Sequence, residues 1–157
     1  MSVVQGLTRA QIRQQIGQQL PGTNPGAIFI GTATVNPASG ADTVSLIDAK
    51  LRGTTNNHSG KWMVLTEMTS SDSNSGHIAR VDSNTVDAPG SGDVDLTFIP
   101  AAADAIAVDD GYELWDEEYN PSTINAAINA AIDHSTGRIY DKIEDISLFS
   151  DGLQSRY

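Results

Sequence analysis

Apolar residues near the start of the chain recur with a helical period: Ile12, Ile16 and Leu20 stand at i, i+4 and i+8 in an otherwise polar segment, the single stripe of an amphipathic helix. Thr8 followed three residues later by Gln11 is a capping-box pair, in which each residue satisfies an N–H that the other leaves orphaned. The pattern predicts a helix from about Thr8 to Gln19. Pro21-Gly22 and Asn24-Pro25-Gly26 end it, because proline removes a donor and glycine tolerates left-handed dihedrals. Beyond them the period changes to short apolar or β-branched runs separated by Gly, Ser, Asn, Asp and Pro, as expected for strands joined by turns. Six runs stand out: Ala27 to Val35, Thr43 to Ile47, Lys61 to Glu67, Gly76 to Val81, Val94 to Ile99 and Gly111 to Trp115. In the fifth, Val94, Leu96 and Phe98 alternate with Asp95 and Thr97, the mark of a half-buried antiparallel strand. Ala101 to Val108 reads equally as a short helical turn or a loop.

At Asn120 the helical period returns, with Asn120 as N-cap and Pro121 at the first helical position. Ile124, Ile128 and Ile132 form an i+4 row with Ala127 and Ala131 beside it. Gly137 ends or bends this helix, and Ile139, Ile143 and Ile146 mark a further amphipathic turn or two. Neither single-striped helix is stable alone. The expected fold is therefore α+β, with N- and C-terminal helices packed together and an antiparallel β-barrel or sandwich inserted between them. Its parts are a helical portion from 7–20 and 120–146, a β domain over 27–116, and a C-terminal tail, 147–157, that acts as a docking arm.

Charge narrows the function classes. The 157 residues carry a formal net charge of -11, and from Val81 to Gly137 there is no Lys or Arg among many acids. Such a segment cannot release counterions from phosphates, which argues against specific nucleic-acid binding. The acids read as a solvated face, or as a partner for the basic first helix of a neighbouring copy. Cysteine is absent, which removes disulfides, thiolate metal sites and thiol nucleophiles. The opening Met-Ser-Val-Val-Gln has no basic region before an apolar stretch, and no run is long enough to span a membrane, so a soluble, unexported chain is expected.

No catalytic or cofactor site is expected. The three histidines lie in different elements without a nucleophile in frame: His58 reads as a surface residue of a polar hairpin loop, His77 as the start of a strand, and His134 as a residue near a helix end. Asp72-Ser73-Asn74-Ser75-Gly76 spaces its oxygens as a calcium loop does, but Ser83 stands where the bidentate Glu belongs. Gly90-Ser91-Gly92-Asp93 precedes a strand and not a helix, so it is no phosphate loop.

The order of these segments resembles a module of tailed-bacteriophage virion proteins. Gly31-Thr32-Ala33-Thr34 opens it, Val44-Ser45-Leu46-Ile47-Asp48 follows, and then a Trp-containing strand, Gly60-Lys61-Trp62-Met63-Val64. Gly76-His77-Ile78-Ala79-Arg80-Val81 and Val94-Asp95-Leu96-Thr97-Phe98 lead to Asp110-Gly111-Tyr112-Glu113-Leu114-Trp115 and the helix that starts Pro121-Ser122-Thr123-Ile124. The leading Leu7-Thr8-Arg9-Ala10-Gln11-Ile12-Arg13 also looks like the start of such proteins, so the resemblance covers about residues 7 to 135.

The resemblance implies a non-enzymatic neck subunit: a homo-oligomeric ring, as a head-tail adaptor or connector, bound to the portal protein and neighbouring neck or tail proteins. It would lie in the virion, and in the host cytoplasm during assembly. Arg9, Arg13, Ile139, Ile143, Leu148, Phe149, Leu153 and Tyr157 would then meet portal or the next copy. Asp109, Asp110, Glu117 and Glu118 would face a channel and repel passing DNA. Tail terminator, fibre-anchoring and decoration roles are alternatives of the same kind. From a different class, a carbohydrate-binding accessory module would stack sugars on Trp62, Trp115, Tyr112 and Tyr119, although tryptophans in strands more often serve the core.

Overall fold

A computed structural model of the chain describes residues 7–22, 26–35, 43–51, 53–69, 72–86 and 93–135. The expectations for Gly137, for Ile139, Ile143 and Ile146, and for Leu148, Phe149, Leu153 and Tyr157 in the tail lie outside the described residues.

Every apolar run forms a strand. Helix α1 (Arg9–Gln19) precedes β1 (Ile28–Thr32), β2 (Ser45–Asp48), β3 (Trp62–Leu65), β4 (Ile78–Val86), β5 (Val94–Ile99) and β6 (Gly111–Trp115). The described part of a second helix, α2, covers 121–135. The capping box forms as expected: the Thr8 N–H donates to Gln11 Oε1 at 2.8 Å, and the Gln11 N–H donates to Thr8 Oγ1 at 3.2 Å. At α2 the Asn120 side chain accepts from the Ser122 N–H at 2.9 Å, with Pro121 in the first turn where no donor is needed. Residues 101–108 contain no helix.

All six strands belong to one antiparallel sheet in the order β1-β6-β3-β4-β5-β2. β3, β4 and β5 are a simple meander, while β1 crosses the length of the chain to pair with β6, Ile28 opposite Trp115 and Thr32 opposite Gly111. That register explains where the helices lie. The start of β1 meets the end of β6, so the chain entering one strand and the chain leaving the other emerge side by side, carrying α1 and α2 with them.

The sheet curls but does not close. A register shift between Val81 and Ser83 on β4 adds the extra twist that a bulge gives a strand, and the two edge strands approach each other. Among the described residues they pair through one isolated bridge, Val35 to Ile47, with the Thr34 N–H donating to the Ile47 carbonyl at 2.9 Å. A closed barrel would need a continuous ladder there, and β1 ends at Thr32, too early to supply one. The expected barrel or sandwich is thus corrected to a single curled six-stranded sheet in an α+β fold.

Both faces of the sheet's β6–β3 centre are covered. The concave face holds the main core, in which Leu46, Met63, Leu65, Val81, Leu96, Phe98, Ile106, Tyr112 and Leu114 are buried together. On the opposite face, Ile28, Val64 and Trp115 form a smaller cluster with Leu20, Trp62, Ile78, Tyr119 and Ile124 packed against it. Hence β6 is buried at all five positions, and the alternation seen in the sequence is a division between two cores. Helix α1 comes so close that a Cβ on Gly17 would lie 2.7 Å from Trp115 Cη2 and 2.8 Å from Ile28 Cγ2. Only glycine permits that approach.

Candidate functional site: a groove between the helices

Period two along β6 sends Tyr112 and Leu114 into the main core and Glu113 and Trp115 toward the helices. Glu113 is fully buried there, and a buried carboxylate is tolerated only when its acceptor capacity is filled. Four donors fill it: Arg13 Nε to Oε2 at 2.7 Å, Arg13 Nη2 to Oε1 at 3.0 Å, Gln14 Nε2 to Oε1 at 3.1 Å and Trp115 Nε1 to Oε2 at 3.0 Å. The guanidinium has one further use, donating from Nη1 to Asn125 Oδ1 at 2.9 Å. One buried ion pair therefore links α1, β6 and α2. Arg13, expected at an interface, is instead 5 % exposed and is turned into the fold by this carboxylate, whereas Arg9 is exposed on α1.

Beyond this polar link the helices part. Ile12 and Ile16 of α1 face Ile124, Ala127, Ile128, Ala131, Ile132 and Ser135 of α2 across an open apolar groove of about 590 Å³. Ile128 sits at its floor, 5 % exposed, whereas Ile132 is 47 % exposed. The two apolar rows read in the sequence do face each other, but they line a groove and do not close into the packed helix pair that was expected. Alanines at 127 and 131 leave α2 too slight to fill the gap, and the seat of Gly17 on Trp115 holds α1 against the sheet.

The acids expected to face a channel divide. Asp110 is fully buried and serves as a turn brace: Oδ1 accepts from the Thr69 N–H at 2.7 Å and from Thr69 Oγ1 at 2.8 Å, and Oδ2 accepts from the Ala107 N–H at 2.8 Å. It cannot repel DNA from that position. Asp109 is exposed, in a left-handed turn conformation with φ 70°. Glu117 pairs with Arg80, whose guanidinium lies 5.5 Å over the Trp62 ring, and Glu118 is exposed. Neighbouring Asp116 pairs with Lys61 at 2.8 Å.

Other motifs are structural too. His58 is 4 % exposed and not a surface residue, because buried Asn84 gathers its loop: Asn84 Oδ1 accepts from the His58 N–H at 2.8 Å and Nδ2 donates to the Thr54 carbonyl at 3.0 Å. His77 Nε2 lies 3.0 Å from the Pro100 carbonyl, and His134 is exposed on α2. In the calcium-like loop, Asn74 grips Asp104 from both sides, donating to its carbonyl at 2.7 Å and accepting from its N–H at 3.0 Å. Among the described residues no group of His, Asp and Glu is placed to hold a metal. Of the aromatic candidates for sugar stacking, Trp115 and Tyr112 are fully buried.

Tyr112 donates to buried Asp48 at 2.7 Å. Burial first, and then the charge of Asp48 and the hydrogen bond to it, push the phenol far above its ordinary value. The unfolded chain ionises this tyrosine near pH 10 while the folded chain keeps its proton, so the stability present below that pH falls as pH rises past it. In urea unfolding at a series of pH values, Tyr112→Phe should flatten the decline above about pH 10. An unchanged slope would show that Tyr112 ionises freely in the fold. No family model, curated protein or solved structure matches the chain.

Proposed function

We propose that this chain is a non-enzymatic structural subunit of a tailed-bacteriophage particle, one copy of an oligomeric ring that joins head to tail at the portal. The observation that carries the reading is the open apolar groove between α1 and α2. A concave apolar surface of this kind, rimmed by polar residues, marks a site of association. Two further points support it. The described strands and helices follow the order in which the resemblance to phage virion modules was read. The buried carboxylates Glu113, Asp110 and Asp48 are engaged in internal bonds, the mark of a scaffold. In the assembled ring, the helices would reach through the filled groove the packed state that they lack alone. Asp109, Glu117 and Glu118 remain the acids available to a channel wall.

A sugar-stacking role draws no such support, since two of its four aromatics are sealed in the core and Arg80 covers Trp62. The mass of the purified protein by light scattering, alone and after mixing with the portal protein of the same genome, tests the proposal. A closed multimer, or a defined multiple bound to portal, is expected. A monomer that ignores portal would sink the neck reading and leave terminator, fibre-anchor or decoration roles.

A further inference from the structure

The groove offers Ile124, Ile128 and Ile132 from α2, and the sequence continues this row beyond the described residues. At 3.6 residues per turn, Ile128 and Ile132 stand about 40° and 80° around the axis from Ile124, and the i, i+4, i+7 spacing of Ile139, Ile143 and Ile146 is that of one helical face. In the sequence, these three isoleucines thus form a second apolar stripe beyond Gly137. We infer that residues 139–146 of one copy occupy the α1–α2 groove of the next copy.

Three observations lead there. A segment with a single apolar stripe is not stable alone and needs a surface to cover it, and the ring reading supplies that surface on a neighbouring copy. The lengths agree: coiled as a helix, Ile139 to Ile146 would span about 10 Å, against about 16 Å for the groove wall from Ile124 to Ser135. The chemistry agrees as well, since β-branched isoleucines fill what Ala127 and Ala131 leave open, the helix-in-groove mode with anchors at i, i+4 and i+7. Knob and socket lie on different parts of the chain, so the contact is head-to-tail and builds a ring when its rotation closes. The inference rests on the ring reading and names the partner at its groove. Of the two partners expected for Ile139 and Ile143, portal or the next copy, it chooses the next copy, leaving Leu148, Phe149, Leu153 and Tyr157 as the arm beyond it.

The absence of native cysteine makes the test unambiguous. Full-length Ala131→Cys, placed in the groove at an exposed alanine, and full-length Ile143→Cys are prepared separately, one carrying an affinity tag, then mixed and treated with a bis-maleimide. A covalent tagged–untagged dimer is expected, and it should be lost when Asp82→Cys on β4 replaces Ala131→Cys. In the double variant Ala131→Cys/Ile143→Cys, a cross-link confined within single chains would mean that the segment folds back on its own groove, and would overturn the inference. So would the absence of any cross-link in either format. Light scattering of the unmodified chain separates the two failures: a ring that persists without the cross-link leaves the neck reading standing, whereas a monomer that ignores portal removes both.

Discussion

Glu113→Ala is expected to destabilise the chain by about 3–5 kcal/mol, because it strands a buried guanidinium, and to lower the melting temperature on the order of 10 °C. The loss exceeds that of an ordinary hydrogen bond for a geometric reason. Arg13, Gln14 and Trp115 all donate to this one carboxylate, so its removal leaves four N–H donors on three side chains without their acceptor. Arg13 also carries the described hydrogen bond between α1 and α2, through Asn125. The helices should therefore loosen before the sheet melts, seen as early exchange of amide protons in residues 9–19 ahead of those in β3 and β6. The double variant Arg13→Met/Glu113→Leu should recover most of the lost stability, since apolar groups of similar size often replace a buried ion pair at little cost. A single-variant loss below about 1 kcal/mol, the scale of an exposed pair, would show that water reaches the site.

This pair also shows where sequence reasoning ends. Strands, helix starts and caps were legible because each is written in local spacing: the Thr8–Gln11 box, the Asn120-Pro121 start and the six apolar runs all fall where the backbone places them. What failed was non-local. Arg13 looked like a surface cation because nothing within its own helix accounts for it, and its partner lies one hundred residues away, set beside it by the β1–β6 register. A signal did exist in β6. Period two puts Glu113 on the same face as Trp115, and an acid sharing a face with a buried tryptophan needs a cation or several donors.

Asp110 and His58 were misplaced in a similar way, by reading polar loop composition as exposure. In both cases a hydrogen-bonding residue distant in sequence, Thr69 or Asn84, draws the loop inward. The groove was half legible. The two apolar rows are plain in the sequence, but whether they close depends on how α1 is seated on the sheet, and Gly17 and Trp115 decide that in three dimensions. The same two residues set the second large expected effect.

Trp115→Ala should cost about 3–5 kcal/mol, the range for truncating a fully buried aromatic. It removes the largest side chain of the smaller core, opens a void beneath Gly17, and withdraws the indole N–H from Glu113. Trp62→Ala should cost clearly less, because that ring is only half-buried and lies at the margin, under Arg80. Gly17→Ala approaches the same contact from the other side: the added methyl meets Trp115 and Ile28 at under 3 Å, so α1 must lift, and overpacking of this kind costs about 1–3 kcal/mol. Because α1 carries Ile12 and Ile16, one wall of the groove, lifting it should also weaken whatever docks there. Thermal melts of the three variants, read beside the light-scattering mass of each, check this. The expected order of stability loss is Trp115→Ala first, with Gly17→Ala losing association while it still folds. If Gly17→Ala melts like the parent and associates like it, the seat of α1 on Trp115 does not shape the groove, and the wall that Ile12 and Ile16 present is set by the Arg13–Glu113 link alone.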